Sequence, residues 1–313
     1  MSFPAPEPSM PNRQLDAVSP AELPLDQLSS VSEDEAQREL TAAAVRERVF
    51  MLAALIALTP LALLVVELPA RSATLNFLGS PLSISLSTDS LLLVLVPVLA
   101  CAGVDWILRD HPDARAGEVP YLFPFWIAPA FAALAIGLLL TRIPTWPLWI
   151  ITLLMGTAMI ATLIFAEYVS LSPNARGYAV ARLALTGVSY AIAFALFTLV
   201  YSARERSIIS ATLTTLIAAG LALDLLAPHI VGLRTAAVFA GIIGLIVGQA
   251  TWALNYWNIS DWSAGILLLT VFYMLSGLAQ QHFQDRLTRA VLLEFAIVAV
   301  VALIVAWQLA GVR

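Results

Sequence analysis

Four carboxylates stand inside or at the edge of strongly apolar runs. They are Asp105 in "VLACAGVDWILR", Glu167 in "TLIFAEYVS", Asp224 in "IAAGLALDLL" and Glu294 in "AVLLEFAIVAVV". A carboxylate at such a depth is costly unless it faces protein or a wet cavity, so it marks an ion or proton path or pairs with a cation. Asp105 has Arg109 four residues on, which predicts a local ion pair on one helix face. Asp224 has no basic residue within two turns; Arg234 lies beyond the next loop. At 100° per residue, Ser210, Thr214 and Asp224 fall within about 80° of one another and form one polar stripe. Glu294 shares a face with Gln308. The spacing therefore predicts Glu294 and Asp224 facing the bundle interior, near each other or near a shared arginine, with Arg286 and Arg289 closest to Glu294 in sequence.

Uncharged polar groups extend this set. Thr270, Tyr273, Ser276 and Gln280 share one helical face, and Gln249 continues a stripe through Gly241, Gly244 and Gly248. Small residues let helices approach closely, and hydroxyls or amides bond across them. Gln249, Tyr273 and Gln280 therefore join Asp105, Glu167, Asp224 and Glu294 as candidate ligand or proton-coupling residues. Asp89 after Ser87, and Asp261 after Ser260, sit instead where a helix begins and read as groups at the positive end of its dipole.

Other chemistries find little material. His111, His229 and His282 all fall at loops or span ends, so no pair of span-interior histidines could hold a haem. Single Cys101 cannot make an intramolecular disulfide or a cysteine zinc site. All sixteen basic residues are arginine, which excludes lysine Schiff-base chemistry. The sequence has no phosphate-binding P-loop, no G-x-S-x-G and no H-E-x-x-H. No catalytic residue, cofactor or metal is assigned. The run "DWILRDHPDAR" (105–115) matches no metal or phosphotransfer signature and reads as a solvated turn.

The elements that must position these groups are membrane helices. The chain has 313 residues, 60% hydrophobic and 12% charged, against about 25% charged in soluble proteins. The apolar residues come in blocks of roughly 20, enough to cross a ~30 Å hydrocarbon core. A spanning segment must satisfy its own backbone hydrogen bonds, which predicts an all-α integral membrane protein. Nine spans are expected: 49–68, 88–108, 121–140, 147–166, 183–202, 207–227, 235–255, 261–280 and 290–310. Pro60, Pro97 and Pro129 lie inside the first three and predict kinks there. In the loop 69–88, Leu82, Ile84 and Leu86 alternate with serines beyond the Gly79–Ser80–Pro81 turn, which predicts a short β-hairpin on the outer surface.

Arginine counting sets the orientation. With the N-terminus cytoplasmic and the distant Arg13 left out, ten arginines lie inside, among them Arg109, Arg115, Arg176, Arg182 and Arg234; five lie outside, Arg71, Arg142, Arg204, Arg206 and Arg313. The expectation is a multi-pass protein of the plasma or inner membrane with a cytoplasmic N-terminus and an external C-terminus.

Residues 1–31 hold six of the eighteen prolines and read as a disordered acidic tail, with 32–313 as the membrane domain. Ser32 and Glu35 have capping-box spacing, which predicts a helix start. Residues 1–40 carry eight acids and two arginines (−6); the rest carries thirteen acids and fourteen arginines (+1). An acidic tail on a near-neutral body excludes nucleic acid as partner. It leaves the bilayer, other membrane subunits and a cytoplasmic protein that the tail could bind. The leading functional reading is a non-enzymatic accessory or assembly component of a membrane complex. A secondary transporter or lipid-handling protein using the intramembrane carboxylates is the alternative, and an enzyme at the cytoplasmic face the third.

Overall fold

A computed structural model describes residues 25–65, 71–77, 80–117, 119, 121–172, 177–203, 206–229, 232–257, 259–284 and 288–310. For 25–42, 71–77, 80–86, 229, 290–292 and 309–310 the description is of the backbone alone. The elements run α1 (Leu25–Val65), β1 (Arg71–Phe77), β2 (Ser80–Leu86), α2 (Thr88–Arg109), α3 (Pro112–Arg115), α4 (Pro124–Leu140) and α5 (Trp146–Ser170). They continue with α6 (Tyr178–Ser202), α7 (Ser207–Leu226), a 3₁₀ turn (Ala227–His229), α8 (Leu233–Asn255), α9 (Asp261–Phe283) and α10 (Arg289–Ala310).

The chain divides into two compact units, residues 1–46 and 47–313. In the first, residues 25–46 are helical. The helix begins at Leu25, ahead of the predicted start at Ser32. From Leu25 to Val65 only Pro60 interrupts the backbone donors, so nothing in the sequence forces a later start. The expected tail otherwise falls on residues 1–24, outside the described residues.

Among the described residues, seven helices are long and apolar enough to cross a membrane: Ala43–Val65 within α1, then α2, α5, α6, α7, α8 and α9. Pro124–Leu140 and Leu293–Gln308 are shorter apolar helical stretches. They fall in the third and ninth expected spans: α4 has 17 residues, and Leu293–Gln308 is the continuous part of the 22-residue α10 whose side chains are described. Pro124 opens α4 in its first turn, where a proline's missing N–H costs no helix hydrogen bond, and the helix starts later than its apolar run.

β1 and β2 pair antiparallel, with Arg71 opposite Leu86, Ala73 opposite Ile84 and Leu75 opposite Leu82. Ser87 then caps α2: its hydroxyl accepts from the Ser90 amide at 3.3 Å, and the Ser90 hydroxyl accepts from the Ser87 amide at 3.1 Å. Ser260 caps α9 by accepting from the Ser263 amide at 3.2 Å. Gly177 (φ 97°) and Gly232 (φ 105°) lead into α6 and α8 in a backbone conformation that strains other residues.

Within residues 47–313 the closest helix pair is α7–α8. Apolar burial gives no drive between helices in lipid, so contact distance and buried hydrogen bonds hold such pairs. Gly244 and Gly248 of α8 meet the α7 backbone directly at Ala211, Thr215 and Ala219. Between α6 and α9, Phe197 and Phe272 stack edge to face at 5.9 Å, and both are fully buried. Buried Tyr201 closes the other end of α6 by donating to the Leu254 carbonyl at 3.0 Å.

Candidate functional site

One end of the bundle gathers the last turns of α5 and α7 and the first turns of α4, α6 and α8. Here Glu167, near the end of α5, is fully buried at 0% exposure. The Ser170 hydroxyl, one turn on, donates to the Glu167 carbonyl at 2.9 Å and lies 3.4 Å from Glu167 Oε2. Glu167 Oε1 has no hydrogen-bond partner. Asp224, near the end of α7, is 6% exposed and accepts a 3.1 Å hydrogen bond from Ser189 of α6. Arg182, one turn into α6, interacts electrostatically with both carboxylates. Its guanidinium lies 5.8 Å from the Phe125 ring centroid, and its Nε is buried without a partner.

Asp224 and Arg182 line a pocket of about 240 Å³ with Val119, Tyr121, Pro124, Phe125 and residues of the α7–α8 connection. The rim residues Tyr121, Pro228 and Gly232 are exposed, while the Asp224 floor is not. Glu167 is not among the lining residues and is fully buried, near enough to Asp224 to feel its charge. The arrangement is two carboxylates and one arginine, one carboxylate facing a solvent-accessible mouth and the other sealed. Such a set can hold a proton or a cation, because ionised together it carries one net negative charge (−2 + 1) in a poorly solvated place.

Of the seven candidates read from sequence, Glu167 and Asp224 come together. Gln280 reaches the same end of α7, donating to the Leu225 carbonyl at 3.2 Å, where it satisfies a helix-terminal acceptor. Asp105 makes the expected local pair with Arg109 at 2.5 Å and keeps Oδ1 buried without a partner. Tyr273 is half-buried between Tyr190 and Phe295, each ring at 5.3 Å. Gln249 is exposed. Glu294 is exposed as well and lines no part of the pocket, which corrects its expected place beside Asp224. Phe295, its neighbour, is the buried residue of that turn and packs against Gly277 of α9, so α10 turns Glu294 outward.

Sequence reasoning missed Arg182 and Ser189. Arg182 stands at the edge of an expected span, where an arginine reads as an orientation marker. The available signal was spacing: positions 182 and 189 differ by seven residues and so share a helix face.

The charged run 105–115 is more than a solvated turn. Arg48 and Arg115 (2.7 Å) both pair with Asp110. Arg48 also lies over the Trp106 ring at 5.1 Å. His111 is buried, stacks edge-on against Tyr168 at 4.6 Å and accepts from the Asp113 amide through Nδ1. The two arginines hold the Asp110 carboxyl below its usual range, and burial lowers the His111 pKa so that the ring stays neutral. Among the described residues no three His, Cys, Asp or Glu side chains form a group that could hold a metal ion.

Apolar helices of spanning length, packed through small residues around a buried charged cluster, define a multi-pass helical membrane protein. The chain belongs to the family described as "Protein of unknown function (DUF5656)", which it matches over residues 68–309. Glu167, Arg182, Ser189 and Asp224 all lie inside that stretch. No curated protein and no solved structure matches the chain.

Proposed function

We propose that this protein is a proton-coupled transporter of small solutes, working through the pocket over Asp224, Arg182 and Glu167. The observation that carries this reading is the charge balance of the buried site. A net charge held away from water costs several kcal/mol, so the site keeps a proton or another cation in its resting state. Exchanging that cation at an accessible mouth is the elementary step of coupled transport. Pro60, Pro97 and Pro129 support the reading as breaks where α1, α2 and α4 can bend.

The test is a solute library applied to proteoliposomes holding a trapped pH-sensitive dye. Proton movement that needs both a particular solute and the protein, and that stops in Glu167→Gln, is the expected result. An inert protein that instead copurifies in fixed ratio with a membrane complex would be the accessory component.

The topology completes the proposal. We read α1, α2 and α4 to α10 as nine crossings of the plasma or inner membrane. The N-terminus is cytoplasmic, available to a cytoplasmic partner, the β1–β2 hairpin external and the pocket on the inner side. The ten-to-five arginine count supports this orientation. Reporters fused after residue 40 and after Arg313 should report opposite sides; the same side from both would remove one crossing.

A further inference from the structure

We infer that the solute taken by the pocket is a small organic cation, a protonated amine or quaternary ammonium, which binds at Asp224 and displaces a proton from Glu167. This rests on the transporter reading and names its substrate class. The two carboxylates are not equivalent. Asp224 lines the pocket, whereas Glu167 lines no part of it and is fully buried, which leaves it nothing larger than a proton to exchange. With Glu167 protonated, Asp224 and Arg182 balance to zero. A monovalent cation entering at Asp224 then restores neutrality if Glu167 loses its proton to water: one positive charge in, one out. An anion would find Arg182 alone against two acids.

The walls choose between kinds of cation. A bare metal ion needs six or more oxygen ligands or a tight set of nitrogens and sulfurs. Besides Arg182, this pocket is lined by one carboxylate, Asp224, and by Tyr121 among apolar neighbours such as Pro124, Phe125 and Leu233. An organic ammonium needs fewer ligands than a metal ion and is attracted by aromatic faces. Phe125 already receives one cation, the Arg182 guanidinium. The 240 Å³ volume equals about eight waters at ~30 Å³ each, which limits the solute to a small amine.

Among the described residues, the cation that acts on both Glu167 and Asp224 is Arg182 of α6. Tyr121 stands at the rim and Tyr168 follows Glu167 in α5; α4 carries no titratable group, α9 presents uncharged Gln280, and Arg234 of α8 is exposed.

The experiment uses the full-length protein in nanodiscs, weakly buffered, titrated with tetramethylammonium by calorimetry and a pH indicator. This probe carries no acidic proton, so any proton released comes from the protein. Saturable binding with release of about one proton per site, and affinity rising with pH, is expected from the linkage of a bound cation to a lost proton. Glu167→Gln should abolish release and leave affinity flat at the low-pH value of the native protein. Asp224→Asn should weaken binding about tenfold or more. Tyr121→Ala, at an exposed rim position, should also weaken it without loss of fold. Absence of saturable binding, binding without proton release, or binding indifferent to Asp224→Asn in folded protein each overturns the inference. If tetramethylammonium binds with proton release but no solute drives protons across liposomes, the inference stands and transport falls. If an anionic or neutral solute drives protons and Glu167→Gln stops it, transport stands and the organic-cation assignment falls.

Discussion

Ser189 of α6 donates a 3.1 Å hydrogen bond to Asp224 of α7, and both residues are buried. The bond ties two helices at the point where the pocket floor lies. Removing a donor from a buried carboxylate leaves an acceptor neither solvated nor paired, which costs about 1–3 kcal/mol. Ser189→Ala should therefore lower the melting temperature in detergent, and Ser189→Thr, which keeps the hydroxyl, should lower it less. Equal losses in both variants would mean that packing, not the hydrogen bond, holds the pair.

The α7–α8 contact depends on two glycines. A β-carbon at Gly244 would stand 2.6 Å from the Thr215 carbonyl oxygen, and one at Gly248 would meet the Thr215 hydroxyl and lie 2.9 Å from the Ala211 carbonyl. Backbone cannot step aside as a flexible side chain can. Gly244→Ala should destabilise by about 1–3 kcal/mol through overpacking. Gly241, on the same helix, has nothing within 4 Å of such a carbon. Gly241→Ala should be neutral or slightly stabilising, because glycine gives up more chain entropy in a helix than alanine. Unfolding in a graded denaturing detergent separates the two.

Much of this architecture is legible in the sequence, because a membrane helix declares itself by length and apolarity alone. The polar stripe ending at Asp224 and the Asp105–Arg109 pair follow from helical periodicity. What periodicity does not carry is rotation. Glu294 sits in an apolar helix exactly as Asp224 does, yet one is exposed and the other buried, since the difference lies in which neighbour each helix faces. Arg182 was readable as a charge near a membrane boundary. Its action on Glu167 of α5 depends on the pairing of α5 with α6. His111, in a run of charges, is buried only because Tyr168 of α5 packs against its ring.

The α2–α3 corner should give the protein an acid-sensitive stability with two steps. The Asp110 carboxyl is held below its unfolded value of 3.8 by Arg48 and Arg115. A lowered carboxyl pKa contributes stability that is full above the unfolded value and is lost as pH falls through the folded one. The His111 pKa is lowered from 6.5 by burial, so the unfolded chain takes up the proton first and stability declines as pH falls below 6.5. Melting temperatures of the native protein should drop in both windows. His111→Gln should remove the upper step and Asp110→Asn the lower one. Profiles that keep both steps in both variants would move the titrating groups elsewhere.

Arg182 offers the sharpest test of the charge balance. It is the cation that acts on both Glu167 and Asp224. Arg182→Gln leaves two buried carboxylates with no positive partner, and breaking such a set costs about 3–5 kcal/mol because the surviving charges stay desolvated. The site can then return to neutrality only by binding two protons instead of one. The variant's deficit in stability should therefore shrink as pH falls, opposite to the trend at the α2–α3 corner. Adding Glu167→Gln leaves Asp224 as the one acid to neutralise, so the double variant needs one proton instead of two and should be more stable at neutral pH than Arg182→Gln alone. A coupling of this sign between residues of one network is what a double-mutant cycle isolates. Additive losses, or an Arg182→Gln protein as stable as the native one, would mean that Arg182 does not hold the site's charge and that Glu167 and Asp224 reach neutrality without it.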